Sequence, residues 1–502
     1  MSRRKEIMKD AGIYTLSSYA AQFLDIASGI LIRRVLGPTN MGIWAFLQVI
    51  QNYAKHAGLG ITTATARDVP YLLGKGEKTK AEEVANLVAS FTFVTAAITS
   101  AGVIIYALIN RGKLTPGIFY GLFAISALIL LQRFYNYFVT ILRSYKQFTF
   151  AGILNFISSA LNLVLTVGLA WRFGLYGFFG GVILNYILLN FWLFSRTPVK
   201  MKLNFNFRDL RPLLGLGLAM LLSDILRTVI TNIDRIMTAK FLGFEELGYY
   251  SIALMAGNYL YSLPNMISII FFPHLQETFA RRDSHQDLEP FLREPVLCTA
   301  YLFPFLIAFV WAASAWIVPV ILPQYGPGIP SMKIYILGSF FMALTHPFSS
   351  FLITVKKHWH LVPLQTGCAV LGFLTTYLFI RQGYGIQGIA IGSAITAALQ
   401  FFILSFTSYR EMGSLSGALR IYGKVLMVFV WFLAALAISE ALFASWPESF
   451  AKFSAQLLII CLVLSPLLFL AEKEARVFST LLTFFKSAGD HVKGTVKSGD
   501  AL

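Results

Sequence analysis

The chain has 502 residues, of which 57% are hydrophobic, 15% aromatic and only 13% charged. A soluble domain carries about 25% charged residues, so this composition excludes a water-soluble protein of this length. The net charge of +17 would suggest nucleic acid on a soluble chain, but here the cations sit between apolar runs, so they read as topology signals and no nucleic-acid partner is expected.

Apolar runs of about twenty residues recur from end to end, each long enough to cross a bilayer as a helix. They predict helices near residues 11–33, 41–62, 82–108, 117–142, 148–172, 176–195, 213–237, 247–270, 292–313, 329–353, 361–380, 385–407, 423–444 and 452–471. Such long, continuously apolar segments are not barrel strands. The expected fold class is an all-α polytopic membrane protein with about 14 transmembrane helices. Met1 to Asp10 is polar and the first apolar run is long, so no cleavable signal is expected. Cys298, Cys368 and Cys461 lie in apolar segments without close pairing and read as small core residues, with no metal role.

Lys and Arg decide the orientation. With the N-terminus inside, inner loops and tails hold 28 of the 41 and outer loops nine, while Lys55, Arg133, Arg227 and Arg235 fall within helices. This bias predicts cytoplasmic N- and C-termini. Outer loops are mostly short, and the outer turns are expected to join helices in about five to ten residues. Lys473–Lys486 sets Val477, Phe478, Leu481, Leu482 and Phe485 against Lys473, Arg476 and Lys486, the pattern of an amphipathic helix lying on the membrane surface.

An internal repeat runs through the chain. Leu36-Gly37-x4-Gly42 recurs as Leu242-Gly243-x4-Gly248, Pro70 has a counterpart in Pro273, and Gly174-x2-Gly177-x3-Gly181 recurs as Gly385-x2-Gly388-x3-Gly392. Six helices separate the copies, so the halves share an orientation, as in parallel-repeat transporters. The expected organisation is an N-terminal six-helix lobe (1–195), a cytoplasmic linker (196–212), a C-terminal six-helix lobe (213–410), an extra helix pair (411–472) and a cytoplasmic tail (473–502), with the two lobes enclosing a central cavity.

Ionisable side chains at mid-bilayer cost roughly 2.5–3.5 kcal/mol each on insertion scales. Lys55, Arg133 and Arg227 are therefore expected to face the protein interior or a watery cavity. Polar residues share their helix faces: Gln48 and Asn52 with Lys55; Asn136 and Thr140 with Arg133; Ser18 and Gln22 with Asp25; Asp224 and Thr231 with Arg227. Counting residues along the helices puts Asp25 and Arg227 at one depth, Lys55 and Arg133 in the inner half, and Asp234 and Arg235 near the outer surface. Two readings stay open for the carboxylates. Asp224 and Arg227, three residues apart, either neutralise each other or gate a site, and Asp25 either pairs structurally or couples an ion. Lys55 and Arg133 have no carboxylate on their own helices and point to an anionic ligand. His56 and His346 read as hydrogen-bonded core residues.

Nucleotide, zinc-protease, zinc-finger and nucleophile-elbow motifs are all absent, and no loop is large enough to hold a sugar with acid and base groups, so an enzyme is not expected. Leu16-Ser17-Ser18-Tyr19, Arg33-Arg34-Val35-Leu36-Gly37-Pro38 and Gly42 resemble the N-terminal signature of polysaccharide-biosynthesis flippases. Arg67-Asp68, Pro70 and Gly74-Lys75-Gly76-Glu77 resemble that family's first inner loop, and Gly174-Leu175-Tyr176-Gly177 its turn between the fifth and sixth helices. These are the O-antigen and capsule relatives within the multidrug/oligosaccharidyl-lipid/polysaccharide exporter superfamily.

The resemblance implies a flippase that moves an undecaprenyl-diphosphate-linked oligosaccharide across the inner membrane by alternating access for surface polysaccharide export. Membrane lipids and glycan polymerase or assembly proteins are the implied partners. No cofactor is expected beyond a coupling ion, H+ or Na+. Depth and helix face, rather than a family motif, nominate Lys55, Arg133, Arg227, Asn52 and Asn136 for substrate binding and Asp25 and Asp224 for gating or ion coupling. The alternatives are an ion-coupled exporter of small molecules and, in another class, a membrane-embedded glycan polymerase or transferase.

Overall fold

The computed structural model describes residues 3–196, 202, 204, 206, 218–282 and 288–475. Helices account for almost all of them, and no β-strand occurs among the described residues. In chain order they are α1 (Arg3–Ala54), α2 (Ile61–Gly74), α3 (Lys78–Ile109), α4 (Pro116–Ser144), α5 (Phe148–Arg196), α6 (Leu218–Phe241), α7 (Phe244–Arg282), α8 (Glu289–Ile321), α9 (Ile329–Leu344), α10 (His346–Thr354), α11 (Leu361–Arg381), α12 (Gly385–Glu411), α13 (Leu415–Leu442) and α14 (Phe450–Ala475). Nine spans among the described residues are long and apolar enough to cross a membrane, which makes the chain a multi-pass membrane protein.

The helices depart from the expected boundaries where backbone chemistry overrides hydropathy. The expected outer turns after residues 33 and 172 shrink to one glycine each. α1 continues through Gly37 (φ 72°) and α5 through Gly174 (φ 59°), so each holds two helices across a kink. Gly accepts this left-handed conformation without a Cβ penalty. Pro38 then starts the second half of α1, where its missing N–H is no loss, and the Asn40 amide caps the Leu36 carbonyl (2.9 Å) freed by the kink. The helix expected over 41–62 stops at Ala54, passes through a tight turn at Lys55–Gly58, and ends at Leu59 and Gly60, both at positive φ. The expected inner loop after it is instead α2. The stretch 329–353 breaks into α9 and α10 beside Pro347, which cannot donate to the preceding turn. The amphipathic tail beyond 475, most of the linker 196–212 and the side chain of Pro273 lie outside the described residues.

The chain divides into two compact units. One comprises residues 1–252, 321–328 and 376–389, the other 253–320, 329–375 and 390–502. In the first, α2 lies on α3 and α4 around Ile61, Val69, Ala85, Tyr137, Phe138 and Leu142. Ala81, Ala85 and Ala89 stripe one face of α3 and are buried. Helices in lipid gain no hydrophobic drive from meeting each other, so small residues that permit close van der Waals approach carry the packing. The linker joins this unit at described points: the Lys202 amide donates to Asn86 Oδ1 (2.9 Å) and the Asn204 amide to Ser90 Oγ (2.8 Å).

In the second unit, α13 and α14 are fastened at both ends. Glu474 accepts from Lys424 (2.6 Å) and from the Tyr301 hydroxyl (2.7 Å). Glu440 accepts from Lys333 (2.8 Å) and the Trp311 indole (2.9 Å), with Lys333 also lying over the Trp311 ring. Between them Trp431 donates to the Val463 carbonyl (3.0 Å), and Phe340 and Phe341 pack on Phe429.

Candidate functional site

The cations gather where α1 breaks. Ala54 ends the helix, so carbonyls of its last turn lose their helical partners. The Arg133 guanidinium, from α4, donates to the Ala54 carbonyl (2.6 Å). It fills the space above Gly58, where a Cβ would collide with Nη1. Lys55 opens the turn and donates to Asn52 Oδ1 (3.0 Å). The Asn52 amide donates onward to Asn232 Oδ1 (3.2 Å) on α6, which also accepts from Arg235 Nη1 (3.1 Å). Asn232 is buried and held by its own donation to the Thr228 carbonyl (2.7 Å). His56 completes the α1–α6 seam with a 2.7 Å hydrogen bond to the Thr228 hydroxyl.

Lys55, Arg133 and Arg235 thus share one neighbourhood, with Lys55 within Coulombic reach of both arginines. Among the described residues their hydrogen-bond acceptors are neutral amide and carbonyl oxygens. Arg235 Nε is buried without a hydrogen-bond partner among them. Lys55 and Arg133, held by neutral oxygens, keep their charge available to an anion, whereas Arg235 also feels the neighbouring Asp234 carboxylate. Such cations suit phosphate oxygens, which accept strong charge-assisted bonds.

The structure brings together Lys55, Asn52 and Arg133, three of the five residues chosen from sequence for substrate binding. Asn136 is exposed on α4. Arg227 is exposed on α6, and its charge acts on Asp224, which in turn acts on His56. Asp25 sits in a different neighbourhood, beside Ser159 of α5 and with its charge reaching Tyr186.

Two groups read as snorkelling are turned into the protein instead. Arg235 belongs to the cluster through its bond to Asn232. Asp234 is buried (4% exposed), with the Tyr250 hydroxyl donating to it at 3.4 Å. Thr228, Asn232 and Arg235, at i, i+4 and i+7, form the polar stripe next to the one chosen from sequence. That spacing was the available signal for the missed residues.

Comparisons with known proteins agree with this architecture. Residues 31–325 match the family model described as polysaccharide biosynthesis protein. The teichuronic acid biosynthesis protein TuaB of Bacillus subtilis (strain 168) is 21% identical over 222 residues, 44% of this chain and 43% of that relative, so the match spans less than half of the relative's length. A structure of the lipid II flippase MurJ in an inward closed conformation superposes with a TM-score of 0.67 at 15% identity, covering 92% of this chain and 99% of that one. An inward-facing multidrug resistance MATE family transporter of the MOP superfamily gives 0.64 at 16% identity, covering 80% and 95%. The fold is that of these transporters, and the chain belongs to the polysaccharide biosynthesis protein family.

Proposed function

We propose that this protein is a flippase that carries an undecaprenyl-diphosphate-linked oligosaccharide across the bacterial or archaeal cytoplasmic membrane, with both termini inside. Two parallel six-helix lobes rock about a central cavity. Lys55, Arg133 and Arg235 receive the pyrophosphate while the polyprenyl chain stays in lipid. The reading is carried by one observation: three neighbouring cations whose acceptors, among the described residues, are neutral oxygens. A phosphate oxygen about 4 Å from each cation gains on the order of 4 kcal/mol per contact at an effective dielectric of 20. Coupling to H+ or Na+ falls to Asp25, which lies beside Ser159 and apart from the cations. The protein works beside the polymerase and assembly proteins that receive the glycan.

The competing reading, an exporter of small amphipathic cations, calls for acidic groups where these cations lie. Complementation of surface-glycan export decides between them. Lys55→Ala and Arg235→Ala, expressed at normal levels, are expected to lower export at least ten-fold each without changing drug resistance. Full export by both variants, or altered resistance with export intact, would reject the pyrophosphate role.

A further inference from the structure

The two signature turns of the repeat pack on each other. An offset of 206 maps Gly37 onto Gly243, Pro38 onto Phe244 and Gly42 onto Gly248. Gly37 and Gly243 both have positive φ. The space a Cβ at Gly42 would occupy is filled by the Phe244 carbonyl, and the space at Gly248 by the Pro38 carbonyl. Each contact is the image of the other under the offset, as at a two-fold interface. Such a joint is backbone on backbone at the glycines, with the Phe46 and Phe244 rings meeting beside it.

A polar tie lies on one side of the joint. Arg33 Nε donates to Ser251 Oγ (3.3 Å) and Nη2 to the Ser251 carbonyl (3.2 Å), while Nη1 holds the Gly29 carbonyl (2.9 Å) of its own helix. The fully buried Tyr325 donates its hydroxyl to the Arg33 carbonyl (3.3 Å). The segment 321–328 that carries Tyr325 seats Gly328 against the Tyr249 carbonyl and Gln324 against Gly37. The offset maps the Arg33–Ser251 pair onto Ala239 and Ala45, which have no polar side chains. The symmetric joint therefore carries an asymmetric tie.

We propose that Arg33, Ser251 and Tyr325 form a releasable latch that holds this joint closed, and that the joint is the outer gate of the transport cycle. The proposal rests on the transport reading and on the orientation given above. Symmetric glycine contacts let the two turns meet and part at their backbones, with the Phe46–Phe244 ring contact breaking beside them. The Arg33 guanidinium then supplies a polar hold, through bonds that a passing polar group or water can replace one at a time.

The test uses the full-length protein with Cys298, Cys368 and Cys461 replaced by serine. A single Phe244→Cys is labelled from outside with a membrane-impermeant maleimide. Arg33→Ala, and the milder Tyr325→Phe, are expected to raise the labelling rate several-fold, with Arg33→Lys intermediate. In parallel, Phe46→Cys and Phe244→Cys, whose native rings are 5.7 Å apart, are joined by a short reducible spacer. Joining is expected to lower glycan export at least ten-fold, with recovery on reduction. Unchanged labelling in all three variants overturns the latch. Full export by the joined protein overturns the gate. A rise in labelling in a protein on which glycan export never depends upholds the latch and rejects the proposed substrate instead.

Discussion

Arg133 serves two ends with one side chain. Its Nη2 satisfies the Ala54 carbonyl where α1 stops, and the guanidinium retains further donors for a ligand. Gly58 makes room for it. A hydrogen bond from a charged donor contributes roughly 1.5–3 kcal/mol, so Gly58→Ala, which must displace the guanidinium, is expected to destabilise by about 2 kcal/mol. Arg133→Ala removes the same bond. If the bond is the shared cause, the double variant costs little more than either single one, because coupled neighbours do not add. Thermal unfolding of the purified protein in detergent measures this, and simple additivity would show that Gly58 matters for another reason. Sequence alone made Lys55 and Arg133 legible as unpaired cations in apolar surroundings. It could not reveal the structural half of Arg133's role, because helix 41–62 read as continuous and no exposed carbonyl was foreseen.

At the scale of elements, hydropathy located the apolar helices well and backbone exceptions poorly. Gly37 and Gly174 kink α1 and α5 without opening a loop, since one left-handed residue redirects a chain that a sequence window sees as interrupted. α2 was hidden for a different reason: its mixture of Arg67, Asp68 and Pro70 reads as a loop, whereas its apolar side packs on α3 and α4. Polar positions on α3 were equally opaque. Asn86 and Ser90 are buried one helical turn apart, about 6 Å along the axis, and residues two apart on an extended chain are spaced by about 6.6 Å. The spacing matches the Lys202 and Asn204 amides that they receive, so the linker is held by a two-point rail. Asn86→Leu is expected to weaken this hold by about 1 kcal/mol, which is roughly a five-fold rise in the open population. Trypsin cleavage after Lys202 in membranes should accelerate by that factor, and an unchanged rate would mean that the linker is held elsewhere.

For the whole molecule, the repeat expected from sequence ends near residue 410 and leaves the last two membrane helices without a counterpart. Their packing supplies what the sequence withheld. Glu440 and Glu474, at opposite ends of the α13–α14 pair, each collect two donors, one of them from α8 in both cases. Phe453 of α14 lies edge-on to Phe309 of α8 at 5.8 Å and stacks on Trp316. Charged hydrogen bonds at both ends, with the aromatic contacts at one, resist sliding as well as separation, so α13 and α14 are expected to move with α8 as one body. Linking cysteines placed at Phe309 and Phe453 through a short reducible spacer is therefore expected to leave glycan export within about two-fold of the unlinked protein. The same chemistry between Phe46 and Phe244 should stop it, because that joint must open while this one need not. Loss of export on linking α8 to α14 would show instead that the terminal pair shifts during transport, and the two glutamates would then be switch points rather than rivets.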